Sequence, residues 1–170
     1  MTRGDAISID RARGISIVRC AIRWVGGRAV VIARSTDSGV ADSRITGTGE
    51  GGVVLSGGDR AKLLAGRLFV DDTRIEEFSR LGLTYRPAIS LDGVGNRARG
   101  NFIAGSAHQA IRFQGNDHLI ELNEITRVVT DTDDSGAIYT GRDWTAQGTV
   151  IRHNFLHDLG PAPGFEVKGI

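Results

Sequence analysis

Between residues 130 and 144 the chain reads TDTDDSGAIYTGRDW. Three carboxylates, Asp131, Asp133 and Asp134, fall within four residues, ahead of a short apolar-aromatic stretch and then Arg142-Asp143-Trp144. Three chemistries suit such a cluster. A carboxylate in a cleft can move a proton or attack a sugar carbon. Clustered oxygen ligands can hold calcium, although this spacing does not match an EF-hand. The third reading is a solvated polar loop, and these residues alone leave all three open.

The elements that position the cluster emerge from an internal repeat. A small residue, a branched apolar residue, any residue and a further apolar residue recur as AISI, AVVI, GVVL, AISL, AIRF and, with threonine closing it, AIYT. Their second residues are Ile7, Val30, Val53, Ile89, Ile111 and Ile138, with steps of 23, 23, 36, 22 and 27. A second motif follows each one, a small polar residue two before a branched apolar one. It reads Cys20/Ile22, Ser43/Ile45, Thr73/Ile75, Asn101/Ile103, Asn123/Ile125 and Asn154/Leu156. A period of about 22 residues with short strands and no helical spacing predicts an all-β parallel solenoid. Valine, isoleucine and asparagine stand where a leucine-rich repeat would carry leucine. The one segment with helical character is TRIEEFSRLGL, and the repeat claims its Ile75 for a strand.

Strand alternation sends Ile7, Ile9, Val30, Ile32, Ile89, Leu91, Ile111 and Phe113 inward and the residues between them to solvent. Asn101, Asn123 and Asn154 are expected to stack as an inward amide ladder. Insertions interrupt the period near GDRAKLLA, SRLGLTYR, TDTDD and RDWT, and in a solenoid these become loops on one face. They would wall a groove over the first strand of the later coils. Ser90, Arg112 and Tyr139 are the outward middle residues of three successive strands, followed by Asp92, Gln114 and Gly141. Arg86, His108 and Asp133-Asp134-Ser135 precede those strands, and Arg142, Asp143 and Trp144 leave them. Aromatic faces, acids and guanidinium groups in one place suit a sugar. Arg86, Asp92, His108, Arg112, Gln114, Tyr139, Arg142, Asp143 and Trp144 are therefore the candidate glycan-binding residues.

Several of these types also have structural readings. His108 can hold its loop by a hydrogen bond, Trp144 can shield the core edge instead of forming a platform, and Trp24 is expected to pack. His118 falls in the column of Asn96 as a corner residue, and His153 points outward before Asn154.

Lys and Arg total 21 and Asp and Glu 20, a net charge of +1, so no basic stripe supports nucleic-acid binding. No apolar run approaches the roughly 18 residues of a membrane span. One cysteine, Cys20, excludes an intrachain disulfide framework. Twenty-four glycines against 3 prolines fit short strands and tight turns.

The stretches YRPAISLDGVGNR, HQAIRFQGNDHLIELNEI, DDSGAIYTGRDW and VIRHNFLHDL together resemble the right-handed parallel β-helix proteins of the pectin-lyase-like superfamily. The resemblance is closest to the bacterial β-helix glycoside hydrolases of fucosidase and xylanase type, and it spans residues 84–159. It implies a right hand for the solenoid, whose six paired recurrences make about six coils, an extracellular or periplasmic location, and a glycan or polysaccharide substrate. Two carboxylates on adjacent coils are implied, one in the block matching Asp133-Asp134-Ser135-Gly136, with Asp134 ahead of Asp133. No cofactor is implied; calcium at Asp131, Asp133 and Asp134 is the alternative.

The family's other acid lies in a Tyr-Leu-Asp-Asp stretch on the next coil, and this chain stops at Ile170 before one occurs. Gly169-Ile170 is expected to open a seventh first strand; an alternative register would put Glu166 above Tyr139. With neither end capped, the chain reads as part of a longer protein. A polysaccharide lyase of the same fold, for which Lys62 is the groove-side lysine, and a non-catalytic binding or spacer β-helix are the competing readings.

Overall fold

A computed structural model describes residues 4–160 and 166–170, so residues 161–165, in the insertion after Leu156, lie outside the description. The described chain is all-β, and its long sheets are parallel, stacked and in register. The first contains Ile7–Asp10, Val30–Ala33, Val53–Asp59, Ile89–Val94, Ile111–Asn116 and Ile138–Tyr139. The third contains Ala21–Arg23, Arg44–Thr46, Arg74–Glu76, Phe102–Ala104, Glu124–Thr126 and Phe155–His157. Between them in sequence lies a second sheet, from Ser16–Val18 through Leu119–Glu121 to Val150–Arg152. This is the arrangement of a parallel β-solenoid.

The register follows the sequence repeat residue by residue. Ile7 pairs with Val30, Val30 with Val53, Val53 with Ile89, Ile89 with Ile111, and Ile111 with Ile138. A one-residue slip would turn every inward side chain to solvent. The core is accordingly a set of columns in which Val30, Ile32, Val53, Leu55, Ile89, Leu91 and Ile111 are fully buried. Each such side chain contributes about 1.5–3 kcal/mol relative to exposure. No helix forms in residues 73–83: Arg74–Glu76 is a strand, Glu77 and Ser79 take left-handed backbone angles, and Phe78 turns into the core.

The bend between the second and third sheets is made by one left-handed residue per repeat. Arg19, Asp42, Asp72, Gly100, Leu122 and His153 have φ of 54°, 48°, 47°, 67°, 58° and 56°. Only Gly100 takes that conformation without a steric cost; each of the others costs about 1–2 kcal/mol. The next residue offsets the cost. The Thr73 N–H donates to Asn101 Oδ1, Asn101 N–H to Asn123 Oδ1, and Asn123 N–H to Asn154 Oδ1, each at 3.0 Å. Their Nδ2 groups donate to the carbonyls of Val70, Ala98 and Ile120 at 2.9–3.0 Å. The expected asparagine ladder is therefore present and continues through Thr73 and Ser43 to the Cys20 N–H.

A second ladder lines the corner between the first and second sheets. Leu68 N–H donates to Asn96 Oδ1 at 3.0 Å and Asn96 N–H to His118 Nδ1 at 3.2 Å. His118 Nε2 lies 3.0 Å from the Gln114 carbonyl, so the ring proton is on Nε2 and His118 is the corner residue its column predicts.

Near the C-terminus, Ile138 N–H donates to the Gly169 carbonyl at 3.0 Å, as Ile111 N–H does to Ala137. Ile170 thus follows Ile138 in its column, and Glu166 does not stand above Tyr139. Replacing Asn123 with leucine strands the Asn101 N–H in the interior. Urea unfolding of Asn123→Leu is expected to show a loss of about 1–3 kcal/mol; an unchanged midpoint would mean that the ladder does not carry the corner.

Candidate functional site

All four insertions emerge beside the first sheet because strand pairing and corner ladders tolerate no extra residues. The segment 59–65 folds back as a hairpin, with Gly58 opposite Ala65 and Asp59 opposite Leu64. Across it the loop after Tyr139 closes the same side. Arg60 joins them through Asp143 at 2.8 Å, Thr145 Oγ1 at 2.8 Å and Asn116 Oδ1 at 3.0 Å. The 77–88 loop forms the opposite wall. It is tied down by Leu81 N–H to the Gly49 carbonyl at 2.8 Å and by a short hydrogen bond from Ser79 Oγ to the Arg86 carbonyl.

Three adjoining cavities lie between these walls. One of about 450 Å³ contains Arg28, Glu50, Arg86, Ser90, Asp92 and Arg112. A second of about 340 Å³ contains Arg34, Ser56, Arg60, Asp92 and Gln114. The third, about 360 Å³, contains Tyr85, Arg112, Gln114, Tyr139 and Arg142. Asp92 belongs to the first two, Arg112 to the first and third, and Gln114 to the second and third.

The outward rows match the sequence reading. Ser90 pairs with Arg112 and Arg112 with Tyr139, and Asp92 pairs with Gln114. Ser90 departs from its expected exposure: the walls leave it 6% exposed. Its hydroxyl donates to Asp92 Oδ2 at 3.4 Å. Burial pushes the Asp92 carboxyl up from the ordinary carboxylate range, against the opposing pull of Arg112, Ser90 and His118. Among the described residues Arg112 and Arg142 stand outside every ion pair, whereas Arg86 pairs with Glu50 at 3.5 Å and Arg28 with Asp5 at 2.7 Å.

Other expected site residues have different surroundings. Asp133 Oδ1 accepts the Asp134 N–H at 3.0 Å and the Glu166 N–H at 2.7 Å. Asp134 Oδ1 lies 2.8 Å from Lys168 Nζ, which holds its carboxyl below the usual range. Neither aspartate lines the three cavities. Asp131 is exposed, and among the described residues no group of three or more His, Cys, Asp or Glu is arranged to hold a metal.

Asp143 is bound by Thr145 through side chain and backbone and by Arg60, all of which lower its pKa. It therefore anchors a wall. His108 is buried at 6% exposure and does not reach the groove. Trp144 is fully exposed, shielding nothing, and Trp24 is exposed beneath the Arg80 guanidinium at 5.0 Å instead of packing inside. Lys62 lies 3.7 Å from Asp59, outside all three cavities.

Tyr85, Glu50 and Arg60 line the cavities without being evident from the sequence. Tyr85 and Arg60 sit inside segments legible only as insertions, and Glu50 in a Gly-rich turn. Comparison with known proteins gives no match to a family model, a curated protein or a solved structure.

Two outcomes test this geometry. In Arg60→Ala, amide exchange in residues 60–65 and 143–147 should quicken while global stability falls by less than about 1 kcal/mol, as for an exposed ion pair. Asp92→Asn should be more stable than the parent at neutral pH, because a carboxyl whose folded pKa is raised loses stability as pH rises through that pKa. The difference should close below the ordinary carboxyl range, and chemical unfolding across pH measures it.

Proposed function

We propose that this protein is a right-handed parallel β-helix of six coils that binds a glycan in the groove over its first sheet. Its favoured chemistry is hydrolysis of a glycosidic bond with Asp92 as proton donor. The observation that carries the reading is Asp92 itself, a carboxyl at the junction of two cavities whose burial favours the protonated form. An acid of that kind protonates a leaving glycosidic oxygen. Six strands in each of the second and third sheets support the coil number. The roughly 98% preference of parallel crossover connections for the right hand supports that handedness.

Glu50 lines the same cavity as Asp92 and is the second carboxylate for a water or a sugar carbon. Asp134, kept ionised by Lys168, suits a base or nucleophile better than an acid. The resemblance to β-helix glycoside hydrolases, with its implied extracellular or periplasmic setting, agrees with this reading.

Release of reducing ends from a panel of xylan, mannan, fucan and polygalacturonate tests it. Asp92→Asn should lower turnover by about a hundredfold or more, Glu50→Gln should also impair it, and Asp134→Asn should matter less. Full activity in Asp92→Asn would remove the proposed acid.

A second reading is supported by Arg112 and Arg142, two groove guanidinium groups outside every ion pair among the described residues. They suit a uronate, and a polysaccharide lyase would release an unsaturated product absorbing in the ultraviolet from polygalacturonate. Saccharide binding without either product would instead favour a non-catalytic β-helix.

A further inference from the structure

We propose that Tyr85 is the platform on which a sugar ring of the bound glycan stacks, and that His108 is the buried post that positions it. The proposal rests on the glycan reading above for its ligand, but the post stands on contacts within the protein.

Tyr85 projects from the 77–88 wall, is 66% exposed, and lines both the 450 Å³ and the 360 Å³ cavities. Its φ of 56° is in the left-handed region, which a bulky residue enters only when its surroundings hold it there. His108 supplies that hold. The Tyr85 N–H donates to His108 Nδ1 at 3.3 Å, and the phenol ring rests on the imidazole with centroids 4.9 Å apart.

With Nδ1 accepting, the proton of the neutral ring is on Nε2, which faces Ser135 Oγ at 3.3 Å. Burial lowers the His108 pKa and so preserves this neutral, accepting state. Ser135 begins the segment leading to Tyr139, so one imidazole ties the wall carrying Tyr85 to the strand carrying Tyr139. Both tyrosines line the 360 Å³ cavity with Arg112 and Gln114. Aromatic faces beside hydrogen-bonding side chains match a pyranose, which has a C–H face and a hydroxyl edge. His108, with no access to the cavity, is a positioning residue.

Two substitutions separate a positioning role from simple filling of space. Asparagine at 108 keeps an acceptor where Nδ1 was, whereas glutamine reproduces Nε2 and loses the bond to Tyr85. Amide exchange at Tyr85 should remain slow in His108→Asn and become fast in His108→Gln; equal exchange in the two variants would overturn the post.

Calorimetric titration with xylo-, manno-, cello- and galacturono-hexaose then tests the platform. For a hexaose that the parent binds, Tyr85→Ala and His108→Gln should weaken affinity about tenfold, as loss of an aromatic contact does. Tyr85→Trp and His108→Asn should retain it. Unaltered affinity in Tyr85→Ala would overturn the platform. Absence of binding by the parent to all four would overturn it together with the glycan reading, while the exchange result would still decide whether His108 positions Tyr85.

Discussion

Everything in this molecule depends on in-register hydrogen bonding between successive repeats, continued through the corners by side chains. Strand pairing satisfies the backbone along each flat face, but a bend leaves buried N–H groups with no strand opposite. Asparagine, serine, threonine and one histidine supply the missing acceptors, each side chain serving the neighbouring repeat's backbone. Because the ladder bonds are made only when the repeats are in register, they fix the stack as well as stabilise it. They also hold the left-handed residues that turn the chain.

This constraint decides where the repeat can vary. The 36-residue step from Val53 to Ile89 keeps the same pairing as the 23-residue steps before it, so the added residues lie outside strands and ladders. Such residues can only leave the stack as loops, and here they leave on both sides of the first sheet. Their mutual contacts span long sequence distances, as where Arg60 meets Asp143 and Thr145. The outward row of the first sheet thereby becomes the floor of a groove. Enclosure gives that floor its chemistry: in open solvent Asp92 would be an ordinary ionised carboxylate, and the walls favour its protonated form.

The acid cluster at 131–134 has the reverse history. Its composition suggests chemistry, yet Asp133 is occupied with backbone N–H groups and Asp134 with Lys168. Neither carboxylate lines the three cavities of the groove, which arise from the packing of loops distant in sequence. His108 makes the same point, because its position before a groove strand suggested a ligand contact while its two nitrogens are engaged inside the protein.

The sequence by itself determined the solenoid class, the strand columns, the asparagine ladder and the stacking of Ser90, Arg112 and Tyr139. These are consequences of period and alternation, which similar neighbouring repeats enforce locally. Tertiary structure alone decided the burial of Ser90 and His108, the raised pKa of Asp92, the Arg60 link and the setting of Tyr85. All of these belong to insertions or to what insertions cover. An inserted loop has no repeat partner to copy, so its conformation depends on contacts that periodicity does not encode.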